Sequence, residues 1–305
     1  REHDREIALA HSRDPSFSSS IISDPGTPIR DNQNIQLGSS SDTVNETDLE
    51  RFLTDWERFL LSDYEDTIFR SVDPVAYATM RDLYLRLCDN PIFLDGGEAY
   101  LDGGKMSFHI DKTTGKKCAM IGASKLKILW GEIPEFWKLT SHKDSRFLTV
   151  AEVNQVLRFD IRGQIDTNML SPNTLYTAYL VYRFTKSYRG SPSLVNGIIS
   201  FDKIKDDEAH KQASVLHLVP GKHRNGNTAM RPDKWMEVEI GDFYTFLEDN
   251  SVVEARVWQH KEYLKSGIIV EGIEFRPPNA NIVIFPKKKK RKGSRRIFSN
   301  LKISE

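Results

Sequence analysis

The stretch "LRFDIRGQIDTNMLSPNTLYTAYLVYRF", residues 157–184, decides the fold. Leu157, Phe159 and Ile161 alternate with Arg158, Asp160 and Arg162, which marks a strand with one dry face and one wet face. Thr174 to Phe184 is apolar on both faces and is expected at the centre of a sheet. Outward from this stretch the period of two recurs in short runs separated by Gly, Pro, Asn and Asp. Strands are predicted in 106–111, 117–123, 125–130, 157–166, 174–184, 195–203, 214–220, 235–243, 252–260 and 266–277. With almost no helical pattern between them, they imply a mainly β fold, an antiparallel jelly-roll β-sandwich.

Upstream the period changes. Leu49, Phe52, Leu53, Trp56, Phe59 and Leu60 recur at helical spacing, and so do Met80, Leu83, Tyr84, Leu87 and Cys88 before Asn90-Pro91. A short α-helical linker region, residues 48–104, is therefore predicted ahead of a sandwich spanning 105–277. Residues 1–47 are rich in Ser, Asp, Asn and Pro, with too few apolar side chains to offset the entropy of ordering, so they are expected to be disordered.

The formal net charge of the 305-residue chain is zero, but residues 286–305 hold nine Lys or Arg against one Glu. That leaves 34 basic and 42 acidic residues in the rest, an acidic body that argues against specific nucleic-acid binding. The basic tail, 278–305, contains Lys287, Lys288, Lys289, Lys290, Arg291 and Lys292 in one run after a proline. Such a run suits a nuclear-import signal, with importin as partner, or a nonspecific polyanion contact. No apolar window has the length of a membrane span, so no membrane association is expected. Two cysteines cannot build a disulfide framework for a chain this size, and they suit a reducing compartment.

The sequence carries no G-x-S-x-G, no H-E-x-x-H and no phosphate loop, and its eight histidines are scattered. No enzyme, no cofactor and no metal site is expected. The five tryptophans are the remaining chemical signal. By period, Trp130 continues the face of Leu126 and Ile128 and reads as core. Trp137, beyond Gly131 and Pro134, is open between packing and ligand contact. Trp235 and Trp258 fall on the polar faces of their strands, as packers on the sheet surface or as a second binding face.

The blocks "TGKKCAMIGASKLKILWGEIPEFW", "SRFLTVAEVNQVLRFDIRGQIDTNMLSPNTLYTAYLVYRF", "KWMEVEIGDF" and "LKSGIIVEGIEFRP" follow one another in an order that resembles the plant phloem protein 2 family. This is the family of the phloem lectins and the tobacco-type jasmonate-induced lectins. The resemblance implies a lectin domain over residues 105–277, binding N-acetylglucosamine oligomers or N-glycan cores on glycoproteins of the cytoplasm and nucleus. It also implies sugar stacking on Trp130 and Trp137, with Leu139 where a third aromatic is common. Acidic side chains are implied on the strands near 252–260. Val252 and Gln259 stand where Glu is expected, with Glu248, Asp249 and Glu254 close by as substitutes. "WERFLLSDYEDTI" and "RDLYLRLCDNPIFLDGG" resemble the branch in which the lectin-like domain follows an F-box. Residues 1–47 lack the Leu-Pro start and leucine-rich helices of an F-box, so a Skp1-type adaptor is expected as partner only of a longer form. The alternative function is an F-box-derived protein-interaction module, acting as substrate receptor or scaffold in ubiquitin-ligase or stress signalling.

Overall fold

The computed structural model describes residues 64–96, 104–189, 193–219, 228–247, 250–259 and 266–285. Within them two antiparallel sheets pack face to face around one core. The larger runs β1 (Ile92–Leu94), β2 (Met106–Ile110), β3 (Lys117–Gly122), β14 (Ser266–Arg276), β8 (Thr174–Arg189), β12 (Met236–Thr245), β11 (Thr228–Met230). The pair β5 (Trp137–Thr140) and β6 (Val150–Val153) joins it through β14. The smaller sheet runs β10 (Ser214–Leu218), β9 (Ser193–Ser200), β13 (Val252–Gln259), β7 (Phe159–Asp166), β4 (Lys127–Ile128).

The doubly apolar strand is central as expected. β8 lies between β14 and β12, with Tyr176, Ala178, Leu180 and Tyr182 fully buried toward the smaller sheet. β7 faces them with Phe159, Ile161 and Ile165. Burying each side chain of this size contributes about 1.5–3 kcal/mol, so the two inner faces carry most of the folding energy. Gly272 is fixed by its neighbour: a Cβ there would lie 2.1 Å from the backbone oxygen of Ile121, at a break in register after Val270. Any side chain at 272 would push β3 off β14.

The stripe predicted before Asn90 is a helix, α2 (Met80–Asp89), with Leu83, Tyr84, Leu87 and Cys88 buried. Thr79 caps it by accepting from the Asp82 backbone N–H at 3.1 Å, and Asp82 returns the favour to the Ala78 N–H at 3.1 Å. A shorter helix, α1 (Tyr64–Phe69), precedes it. The helix predicted over Leu49–Leu60, the segment 1–47 and residues 286–305 lie outside the described residues. α2 shares the sandwich core, and β1 pairs with β2, so residues 64–96 are built into the sandwich. Asp95 fastens this part. It takes both Nε and Nη2 of Arg70 at 2.8 Å and also bonds Lys125. Burial raises its pKa, but these bonds outweigh it and hold the carboxyl down to about 2.

Among the described residues, five strands and α-helices escape the sequence pattern. β1, β5, β6 and β11 have three or four residues each, too few to display an alternation. The fifth, α3 (Asp206–Gln212), is a two-turn helix whose sole buried side chain is Ala209. The strand expected over 125–130 shrinks to Lys127–Ile128, because Ala123–Lys125 closes a 3₁₀ turn and the chain bends again after Ile128. Both cysteines are free and buried.

Candidate functional site

The bend after Ile128 overturns the periodic reading of Trp130. Leu129 N–H still bonds the Asp160 carbonyl at 2.9 Å, holding the chain beside β7, and Gly131 N–H then closes a turn on the Ile128 carbonyl at 3.0 Å. Trp130 between them sits at φ 58°, in the left-handed region that costs a bulky L-residue about 1–2 kcal/mol. Its side chain is thereby thrown outward, away from the Leu126 face, and is 38% exposed. Further turns, from Ile133 N–H to the Trp130 carbonyl and from Phe136 and Trp137 N–H to the Ile133 carbonyl, wrap the loop back over itself. They bring the Phe136 ring to 5.3 Å from the Trp130 ring, tilted by 42°. Glu132 and Glu135 are exposed in the same loop.

Trp137 goes the other way. It opens β5, opposite Val153, and its ring lies 5.9 Å from Phe159 in the core with 2% exposure. It therefore gives no stacking surface. The aromatic partner of Trp130 is Phe136.

The polar residues drawn from the resemblance do not assemble. Glu248 and Asp249 lie outside the described residues. Glu254 and Gln259 are both on β13, five residues apart, hence on opposite faces and about 17 Å apart along the strand. Glu254 is tied on the outer face, taking the Gln164 amide at 2.7 Å with Arg162 at 3.7 Å. Gln259 is 5% exposed and donates to the Leu194 carbonyl at 2.6 Å. Of the two, only Gln259 is level with the aromatic loop, since it pairs with Phe159, next to the Asp160 that anchors Leu129. Val252 is exposed at the far end of β13. The basic run Lys287–Lys292 is outside the described residues.

Trp235 and Trp258 are packers, each fully buried. Trp258 lies under α3, with the Arg256 guanidinium 4.5 Å above its ring. Its Nε1–H donates to His210 Nε2 at 3.2 Å, so Nδ1 of His210 carries the proton given to the Asp206 carbonyl at 2.7 Å. Arg256 adds Asp160 at 2.6 Å and Asp206 at 2.8 Å. Trp235 donates to the Asp144 carbonyl at 3.0 Å, with Arg183 over its ring at 4.8 Å.

Trp235 belongs to a covered layer on the outer face of the larger sheet. Its centre is Glu274, 1% exposed, which receives Arg231 at 2.5 Å, Arg276 at 2.9 Å and Arg146 at 3.1 Å. Glu237 ties Arg231 at 3.0 Å to Arg276 at 2.9 Å. Burial opposes the charge of Glu274, but the three guanidinium groups win and hold its carboxyl well below the usual range. His109, 2% exposed, faces this layer, and neither ring nitrogen finds a hydrogen-bond partner. Burial pushes its pKa from 6.5 down to about 4; Arg146 and Arg231 add to this while Glu274 and Asp111 oppose it. Below pH 6.5 the unfolded chain takes a proton that the folded ring refuses, so stability falls as pH drops from 6.5 to 4. The expected loss is about 3 kcal/mol. Urea unfolding at pH 7 and pH 4.5 measures it, and His109→Phe should remove most of the difference between the two.

Among the described residues, no group of three or more His, Cys, Asp or Glu is placed to hold a metal ion, and no helix is long and apolar enough to cross a membrane.

The family model for phloem protein 2 matches residues 116–277, more than half of the chain. The chain belongs to the phloem protein 2 family. Three relatives from Arabidopsis thaliana agree with this. F-box protein PP2-B5 is 36% identical over 234 residues, 74% of this chain and 74% of the relative. F-box protein PP2-B10 is 32% identical over 227 residues, covering 73% and 79%, and F-box protein VBF is 31% identical over 248 residues, covering 73% and 85%. Phe136, Glu132 and Glu135 are residues of the aromatic loop that sequence reasoning left out of the candidate site. The signal for them was local: Gly131 and Pro134 bracket a loop, and a loop breaks the strand period on both sides.

Proposed function

We propose that this phloem protein 2 family member is a non-enzymatic carbohydrate-binding protein that takes N-acetylglucosamine oligomers or N-glycan cores on the loop of residues 130–136. The observation that carries the reading is Trp130, an exposed indole held in a left-handed conformation that a bulky residue avoids. With Phe136 it offers a two-ring platform for the C–H face of a pyranose, and Glu132 and Glu135 supply carboxylates beside it for the hydroxyls.

The test is isothermal titration with chitotriose on the native chain and on Trp130→Gly. Glycine removes the platform and relieves the left-handed backbone, which offsets part of the packing lost with the covered side of the indole, so the variant should lose no more than about 2 kcal/mol of stability. It should also lose at least tenfold in affinity. Binding that survives in the variant would sink this site, and no binding to the native chain at millimolar sugar would sink the lectin reading.

A second reading has support in the names of the relatives, which are F-box proteins. In it the sandwich recognises a protein, as the receptor part of a ubiquitin ligase that reaches its Skp1-type adaptor through an F-box. A folded chain that binds no glycan would favour it.

A further inference from the structure

The aromatic loop is tied to the rest of the fold at both ends. At its start, the Leu129 N–H bonds the carbonyl of Asp160 on β7. At its end, Trp137 pairs with Val153, the last residue of β6, and the following residue, Asn154, holds the loop twice. Its backbone N–H donates to the Phe136 carbonyl at 2.9 Å, and its side-chain Nδ2 donates to the Pro134 carbonyl at 2.8 Å. The Gln155 N–H also reaches the Phe136 carbonyl, at 3.4 Å.

Trp130, at φ 58°, depends on this grip, because a bulky residue keeps a left-handed backbone only where its surroundings over-determine it. Ile133 stands between the two: its N–H bonds the Trp130 carbonyl at 3.0 Å, and its neighbour Pro134 offers the carbonyl that Asn154 takes. A shift at Pro134 is therefore passed back to Trp130 through one residue. The ties at Leu129 and at the Asn154 N–H are made by backbone and are indifferent to side chain, whereas the bond to Pro134 is set by the amide of Asn154. That side chain supports no core. Asn154 is exposed, lies just past β6, and has its φ outside the left-handed region, so alanine fits its backbone.

We infer that Asn154 is a positioning residue for the platform of Trp130 and Phe136: by fixing the Pro134 carbonyl it holds the two rings in one arrangement before a ligand arrives. A platform ordered in advance spares the cost of ordering it on binding, and so raises affinity without touching the ligand. That the ligand is a glycan rests on the reading proposed above; that Asn154 holds the rings does not. Aspartate has the shape of asparagine but no donor, and it would set a carboxylate against the Pro134 carbonyl oxygen. Asn154→Asp should therefore disturb the loop more than Asn154→Ala.

The experiment compares the native chain with Asn154→Ala and Asn154→Asp, all labelled with fluorotryptophan. The fluorine resonance absent from Trp130→Gly identifies Trp130. Without sugar, that resonance should shift or broaden in both variants, while those of Trp235 and Trp258 stay in place. The thermal midpoint should fall by no more than about 4 °C, the scale of one hydrogen bond in a domain of this size. Titration with chitotriose should then give an affinity about fivefold lower in Asn154→Ala, again the worth of one hydrogen bond, and lower still in Asn154→Asp. The proposal is overturned if the Trp130 resonance is the same in the native chain and in Asn154→Ala; a loss of affinity with that resonance unmoved would make Asn154 a direct ligand contact. It is overturned as well if the resonance moves and chitotriose binds both chains equally well. If the native chain binds no chitotriose, the lectin reading fails, and the Trp130 resonance alone decides whether Asn154 positions the platform.

Discussion

Glu274→Gln should lower the unfolding free energy by about 3–5 kcal/mol, the usual cost of removing one partner from a buried ion pair. Glutamine keeps the volume, so the loss isolates the charge. Three guanidinium groups, Arg146, Arg231 and Arg276, converge on this carboxylate, and all three are at most 6% exposed. Without the negative charge, Glu237 and Asp233 are left to balance them, and Asp233 reaches Arg146 only at 3.9 Å. In a domain of this size the midpoint of thermal unfolding should drop by roughly 10 °C or more. Equilibrium denaturation in urea, with an unchanged m-value, measures the effect. A loss below about 1 kcal/mol would show that the remaining carboxylates carry the arginines without Glu274.

Trp137→Ala should cost about 3–5 kcal/mol by emptying a large buried volume beside Phe159. The variant is instructive for the lectin reading. Its glycan affinity should fall together with its melting temperature, and a stabilising co-solvent such as trimethylamine N-oxide should restore part of both. Trp130→Gly should lose affinity with a smaller loss of stability than Trp137→Ala. If Trp137→Ala kept its melting temperature and lost only sugar binding, Trp137 would have to lie at the surface, against the packing described.

The contrast between these tryptophans shows what the sequence discloses and what it hides. Periodicity identifies the long strands because a side chain's face follows from its parity for as long as the strand lasts. It placed β8 in the middle of its sheet from the apolar character of both faces alone. Parity carries no information past the end of a strand, and β4 ends at Ile128, two residues before Trp130. Trp130, which the pattern reads as core, is at the surface, and Trp137, which the pattern leaves open and the resemblance makes a stacking residue, is in the core. The stripe of α2 was legible for the same reason as β8, being ten residues long with Thr79 capping its start.

The ionic layer was hidden for a different reason. On β14 and β12, Glu274, Arg276 and Glu237 read as the wet side of half-buried strands, and a charge pattern does not say whether solvent or another segment covers it. The cover comes from residues 142–148, a loop with no period, and from Arg231 and Asp233 beyond the end of β11. The polar residues that the resemblance implied are kept apart by distance along one strand. Glu254 and Gln259 are near neighbours in sequence, but an odd separation on an extended chain puts a sheet between them.

β1, a strand of three residues, has a bearing on what the edge of the larger sheet exposes. It lies along β2 and uses the backbone groups on that side of the sheet, while Arg70 and Lys125 hold its end through Asp95. A chain begun at residue 105, where the strand pattern starts, would carry every large strand of the sandwich. It would also present the bare flank of β2 to the solvent, an open ladder on which the next molecule could continue the sheet. The short helical region is in this sense a selvedge: it finishes the β2 edge of the fabric.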